Sequence, residues 1–202
     1  MKSQVTTKSG DHGKAMALDG QWYSKAHPIM EATGAVDEFR GHAALIRQLI
    51  LQEQPEGADE LAACLLWILH CCFIIGTECS DPEGVHPEYR QGVIGPEALA
   101  RLEKEQAWLE DRTRLPQAFI VTASTPLAAQ IDIASAVARR LERSLVRLHE
   151  TAPAFGSGGV LAFVNRLSDY LYMLARHVEG AKHTPVDYAY FKAYEGRKED
   201  AE

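Results

Sequence analysis

Apolar residues return every three or four positions through most of this 202-residue chain. Val36, Phe39, Ala43, Ile46 and Ile50 share one side of a helix and predict a first amphipathic helix over 32–54, ended by Pro55 and Gly57. Leu61, Leu65, Ile68, Cys72, Ile75 and Cys79 predict a second, whose other faces are also apolar through Leu66, Trp67 and Phe73. A helix apolar all round belongs at the centre of a bundle or against a subunit partner. Residues 80–96 form a polar connection rich in proline and glycine, and Pro96 suits the first turn of a third helix reaching about Arg112. The run AFIVTAS at 118–124 is apolar and β-branched. With no partner strand visible, it reads as an extended lead-in to a fourth helix that Ser124 or Thr125 caps and Pro126 opens. Leu127, Ile131, Ala134, Ala138, Leu141, Leu145 and Leu148 mark that helix, and Val160, Val164, Leu167, Leu171, Leu174 and Val178 mark a fifth. The sum is an all-α, up-and-down five-helix bundle in one domain, with an N-terminal loop region over 1–31 and a polar aromatic tail over 182–202.

Charge narrows the partners. Lys and Arg number 21 against 28 acidic residues, a net charge of -7, so nothing draws the chain as a whole to nucleic acid or an anionic membrane. Any polyanion must be met by a local cluster. Residues 1–20 lack the apolar core of a signal peptide. The longest uncharged run, 61–77, carries His70 and three cysteines and reads as too short and polar for a bilayer span, so a cytoplasmic protein is expected. Cys64, Cys71, Cys72 and Cys79 lie on that one helix without a CxxC pair, and predict buried reduced thiols rather than disulfides or a metal site.

Three stretches carry candidate chemistry. VTTKSGDHGKA at 5–15 is basic and punctuated by glycine, but Lys8 stands where a Walker loop begins with glycine, and Ala15 where it needs a hydroxyl. Such a segment either wraps an anion with converging N–H groups or is a loose leader. On helix four, Arg139 and Arg143 are one turn apart and could clamp one polyanion; alternatively they belong to a solvated face balanced by Glu142. On helix five, Asn165 sits beside the apolar stripe, where burying an amide without a partner is costly.

ARRLER at 138–143, VNRLSDYLYMLAR at 164–176, TKSGDHG at 7–13 and AVDEF at 35–39 together resemble the PduO-type ATP:cob(I)alamin adenosyltransferase family, in register from Thr7 to about Arg176. The resemblance implies a five-helix bundle assembled as a homotrimer, with active sites between subunits. It places Thr7, Lys8, Gly10, Asp11 and Gly13 in a loop over ATP, Arg139 and Arg143 on the triphosphate, Glu142 near the nucleotide and its Mg²⁺, and Asn165 on the nucleotide. Phe119 would lie beneath the corrin ring and displace the lower axial ligand of cobalt, easing its reduction. The implied reaction transfers the 5′-deoxyadenosyl group of ATP to the reduced cobalt of a corrinoid, giving adenosylcobalamin and triphosphate. A catalytically silent relative that carries or senses ATP or corrinoid is the alternative, and a ligand-free helical scaffold a third.

The chain departs from the family pattern at several site positions. Ser135 replaces an arginine that usually pairs across the subunit interface with the aspartate matched by Asp37. Arg40 stands for an asparagine, Ala15 for a hydroxyl residue, Thr122-Ala123-Ser124 for Pro-Gly-Gly, and Asp132 for a histidine. Arg40 lies three residues after Asp37, so it is expected to supply the missing cation from within its own helix.

Overall fold

The computed structural model describes residues 6–180 and 182–190. Val5 of the N-terminal motif and the tail beyond residue 190 lie outside the described residues. Five helices carry the fold: α1 (Pro28–Glu53), α2 (Ala58–Ser80), α3 (Pro96–Glu110), α4 (Pro126–Thr151) and α5 (Val160–Glu179). Their ends follow local chemistry. The His27 ring accepts from the Ile29 N–H and Pro28 opens α1, so that helix starts a turn earlier than its apolar rhythm. Thr125, not Ser124, caps α4, its hydroxyl accepting from the Ala128 N–H at 3.1 Å. Gly57 precedes α2 with φ 73°, and a Cβ there would come within 2.5 Å of the Trp108 ring, so only glycine fits.

Helix α1 packs on α2 and α4, α4 on α5, and α5 on α3. The predicted stripes form the core: Val36, Phe39, Ala43, Ile46 and Ile50 of α1 are buried, as are Leu127, Ile131, Ala134, Leu141, Leu145 and Leu148 of α4. Of the two places expected for α2, the centre of the bundle is ruled out, because the helix flanks the bundle. Its inner side contributes Trp67, which meets Phe163 of α5 edge-on at 5.8 Å and carries the Arg101 guanidinium of α3 at 4.2 Å. Leu66 and Phe73 on its outer side are exposed. At 23 residues α2 is also longer than the uncharged run that predicts it, and by length and composition alone it could cross a membrane. Here its apolar residues Leu61, Leu65, Ile68, Cys72, Ile75 and Cys79 are buried within the bundle. All four cysteines are free and buried, and burial pushes the Cys64 and Cys72 thiols up to about 12 and Cys71 to about 11.

Two small antiparallel sheets add what helical periodicity does not show. Strands β1 (Lys14–Met16) and β2 (Trp22–Ser24) pair as a hairpin, with Met16 opposite Trp22. The Leu18 N–H ties this hairpin to the end of α2, bonding Ser80 Oγ at 2.9 Å and the Ser80 carbonyl at 3.1 Å. Strand β3 (Ile120–Val121) pairs with β4 (Thr184–Pro185). The lead-in to α4 therefore has a partner strand, supplied by the segment that reads as a polar tail. Some sixty residues separate the two, too far for a local pattern to reveal.

Candidate functional site

The polar side of α4 divides the labour among its arginines. Arg140 donates from Nε and Nη2 to the two carboxylate oxygens of Glu38 on α1, and its guanidinium holds the Glu38 carboxyl below the usual range. Arg147 reaches Glu31, also on α1, at 2.7 Å. Among the described residues Arg139 and Arg143 have no carboxylate partner; Arg143 Nη1 donates to the Arg139 carbonyl at 3.0 Å. Glu142 does not balance them. Its Oε1 accepts instead from Asn165 Nδ2 at 2.8 Å, joining α4 to α5. Asn165 itself is exposed, which corrects the expectation of a buried amide: it stands at the edge of the apolar stripe of α5, not within it. Arg139, Glu142, Arg143, Val146 and Arg147 line an open groove of 390 Å³. Two unpaired guanidiniums one turn apart can take an anion without first breaking an ion pair.

The N-terminal loop is a series of tight turns. The Asp11 N–H bonds the Lys8 carbonyl, the Gly13 N–H bonds the Gly10 carbonyl, both at 3.3 Å, and the hydroxyls of Thr7 and Ser9 bond at 2.7 Å. Lys8 and Gly13 take left-handed conformations, at φ 61° and 75°. Thr7, Lys8, Asp11 and Gly13 are exposed. Lys25, beyond the hairpin, brings its ammonium to 3.1 Å from where a Gly10 Cβ would stand, adding a cation that sequence reading missed. No spacing rule marks it, because the hairpin places it there. Within one chain none of these loop residues lines the arginine groove.

The departures from the family pattern resolve into specific contacts. Arg40 Nη2 lies 2.9 Å from Asp37 Oδ1, as the helical spacing predicts, and its guanidinium also covers the Phe73 ring at 4.5 Å. Ser135 Oγ donates to the Ser168 carbonyl at 3.0 Å and so faces α5. Asp132 also turns to α5, where its Oδ2 receives Arg176 Nη2 at 2.7 Å. Asp132 and Ser135 thus join α4 to α5, and among the described residues Arg139 and Arg143 keep guanidiniums without a carboxylate partner. Ala123 takes a left-handed conformation at φ 66°, where a glycine would be unstrained. Phe119, just before β3, is 81% exposed. No group of three or more potential metal ligands occurs among the described residues, so Glu142 stands as a single carboxylate.

The molecule is thus a five-helix bundle that presents an unpaired arginine pair on α4 and an exposed, glycine-punctuated loop ahead of α1. The sequence profile of the cobalamin adenosyltransferase family matches residues 5–178, and the chain belongs to that family. The human corrinoid adenosyltransferase MMAB is 30% identical over 177 residues, 86% of this chain and 68% of that one. The cobalamin adenosyltransferase of Cupriavidus metallidurans is 33% identical over 177 residues, 86% of this chain and 87% of that one. The fold is similar to a variant PduO-type ATP:corrinoid adenosyltransferase from Lactobacillus reuteri, complexed with cobalamin and ATP, at TM-score 0.80 and 25% identity, over 91% of this chain and 99% of that one.

Proposed function

We propose that this chain is an ATP:corrinoid adenosyltransferase whose Arg139 and Arg143 hold the triphosphate of ATP. The observation that carries the reading is the pair of guanidiniums left without carboxylate partners while Arg140 and Arg147 on the same helix are neutralised. The loop at 7–13, with Lys8 and Lys25, closes over the nucleotide from a neighbouring subunit of a homotrimer, which accounts for its absence from the arginine groove of its own chain. Asn165 is free to contact the nucleotide on the side away from its bond to Glu142.

A single carboxylate suits Mg²⁺ that arrives on a triphosphate, since that ion takes one or two carboxylates and completes its shell with phosphate oxygens and water. Glu142 would hold it, and the ion would supply charge neutralisation at the leaving triphosphate. The protein's part is placement and charge compensation. Arg139 and Arg143 fix the triphosphate so that the 5′ carbon faces cobalt, and they stabilise the negative charge that develops on the departing oxygen. Phe119 offers an exposed ring to the lower face of the corrin, where it takes the space of the axial ligand and shields reduced cobalt from water. The bond from cobalt to the 5′ carbon forms as the carbon–oxygen bond to triphosphate breaks. Arg40 restores charge at Asp37 but cannot tie two subunits together, since both residues lie on α1 of one chain.

Mixing the purified protein with ATP, Mg²⁺ and chemically reduced cobalamin tests the reading directly. The visible spectrum is expected to develop the bands of a cobalt–carbon bond, in proportion to ATP consumed. ATP binding without that spectral change would instead identify a silent carrier, and no binding of either ligand would leave only a scaffold.

A further inference from the structure

Phe119 presents an almost free ring, so within its own chain whatever fixes its direction acts through its backbone. The Phe119 carbonyl accepts from the Val186 N–H at 2.8 Å, one step beyond the β3–β4 pairing. On the other side of β3 the Ser124 N–H donates to Glu179 Oε1 at 2.6 Å. Between them sits Ala123 in its left-handed conformation, which is strained for an alanine and persists only if the flanking backbone is held.

Glu179 is the common anchor. While Oε1 receives β3 through Ser124, Oε2 lies 3.3 Å from Nδ1 of His183, the residue before β4. The same Oε2 lies 2.8 Å from Arg176 Nε, and Arg176 Nη2 reaches Asp132 on α4 at 2.7 Å. Arg176 has no exposed surface and the Glu179 side chain is 2% exposed, so water cannot substitute for these partners. Burial works against the charge on Arg176, yet Asp132 and Glu179 outweigh it and push its pKa up. A chain of buried charges thus runs from α4 through α5 to both strands of the sheet that carries Phe119. Asp132, one of the departures from the family pattern, is its far end.

We infer that Glu179, oriented by Arg176 and Asp132, is a positioning residue for Phe119: it pins both strands and so sets the height and angle of the ring toward the corrin. The inference rests on the reading of Phe119 given above. One carboxylate oxygen serves each strand, which a neutral side chain of the same shape cannot do, since a glutamine offers one acceptor in place of two and turns its own N–H toward a donor, either the Ser124 N–H or Arg176 Nε.

Two variants test it in the full-length protein. Glu179→Gln weakens the anchor at its centre. Val186→Pro removes only the N–H that bonds the Phe119 carbonyl, in a surface segment away from the ion pairs, and keeps the test open should Glu179→Gln fail to fold. Amide hydrogen exchange at Val121 and Ser124 is expected to quicken about tenfold in either variant while the amides of α1 and α4 stay protected. With Co(II) cobalamin and ATP bound, the fraction lacking the lower axial ligand is expected to fall, and kcat to drop about tenfold at unchanged KM for ATP. Wild-type exchange in folded Glu179→Gln overturns the inference, as does wild-type exchange in Val186→Pro should Glu179→Gln fail to fold. Faster exchange with a wild-type Co(II) spectrum and kcat overturns it too, by showing an anchor without consequence for the ring. Phe119→Ala separates the two levels: a wild-type Co(II) spectrum there overturns the reading of Phe119 itself, whereas an altered spectrum there beside normal anchor variants overturns only the positioning role.

Discussion

Ala123 holds a left-handed backbone at φ 66° in a position where the family resemblance leads one to expect glycine. An alanine there is strained by roughly 1–2 kcal/mol, and glycine in its place would relieve that while adding about 0.4–1 kcal/mol of unfolded-state entropy. Ala123→Gly is therefore expected to raise stability by up to ~1.6 kcal/mol, measured as a higher urea midpoint at unchanged slope. A lower midpoint would mean that the Cβ makes contacts worth more than the strain. Asn165 teaches a related lesson at the same scale. It follows the core residue Val164 directly, but a shift of one residue around a helix turns a side chain by about 100°, enough to move it from core to surface.

Helix α4 shows how one element can serve two purposes. Its Leu127-to-Leu148 stripe faces the core, Asp132 and Ser135 bond α5, Arg140 and Arg147 pair with α1, and Arg139 and Arg143 are left over. Arg139→Ala is expected to weaken ATP binding about tenfold or more by calorimetry, because a charge-assisted bond to phosphate is lost, while the helical circular dichroism stays as in the parent. Arg140→Ala should do the reverse: ATP affinity near the parent value, with slightly lower stability from the lost bond to Glu38. Equal ATP affinities in the two variants would show that the unpaired arginines are not the phosphate site. Both residues have the same chemistry, and the position of α1 decides which of them is neutralised.

On the scale of the whole molecule, the four cysteines record how dry the interior is. Burial holds the native Cys71, Cys64 and Cys72 thiols protonated up to about 11 to 12, whereas in the unfolded chain they ionise near 9. A raised native pKa adds stability that is complete below the unfolded value and is lost as pH rises toward the native one. The urea midpoint should accordingly fall between pH 8.5 and 10. It should fall less steeply in Cys72→Ala, whatever that variant loses from its small cavity. The native thiols should also resist a thiol reagent at pH 8 and all react once the chain is unfolded. An equal pH slope in Cys72→Ala would place the alkaline loss in other groups; Tyr23, whose bond to Asp19 pushes it up to about 12, adds its own loss mainly above pH 10.

The sequence by itself determined the five helices, the faces they bury and the Asp37–Arg40 pair, because each depends on residues three or four apart in the chain, where helical geometry alone brings them together. It also contained the arginines and the glycine loop that point to a nucleotide. The tertiary structure decided which arginines stay unpaired, that Lys25 stands by Gly10, that α2 lies at the flank, and that the tail becomes the partner of β3. Those outcomes depend on contacts between segments tens of residues apart, whose meeting is set by the packing of the whole bundle and leaves no period in the chain.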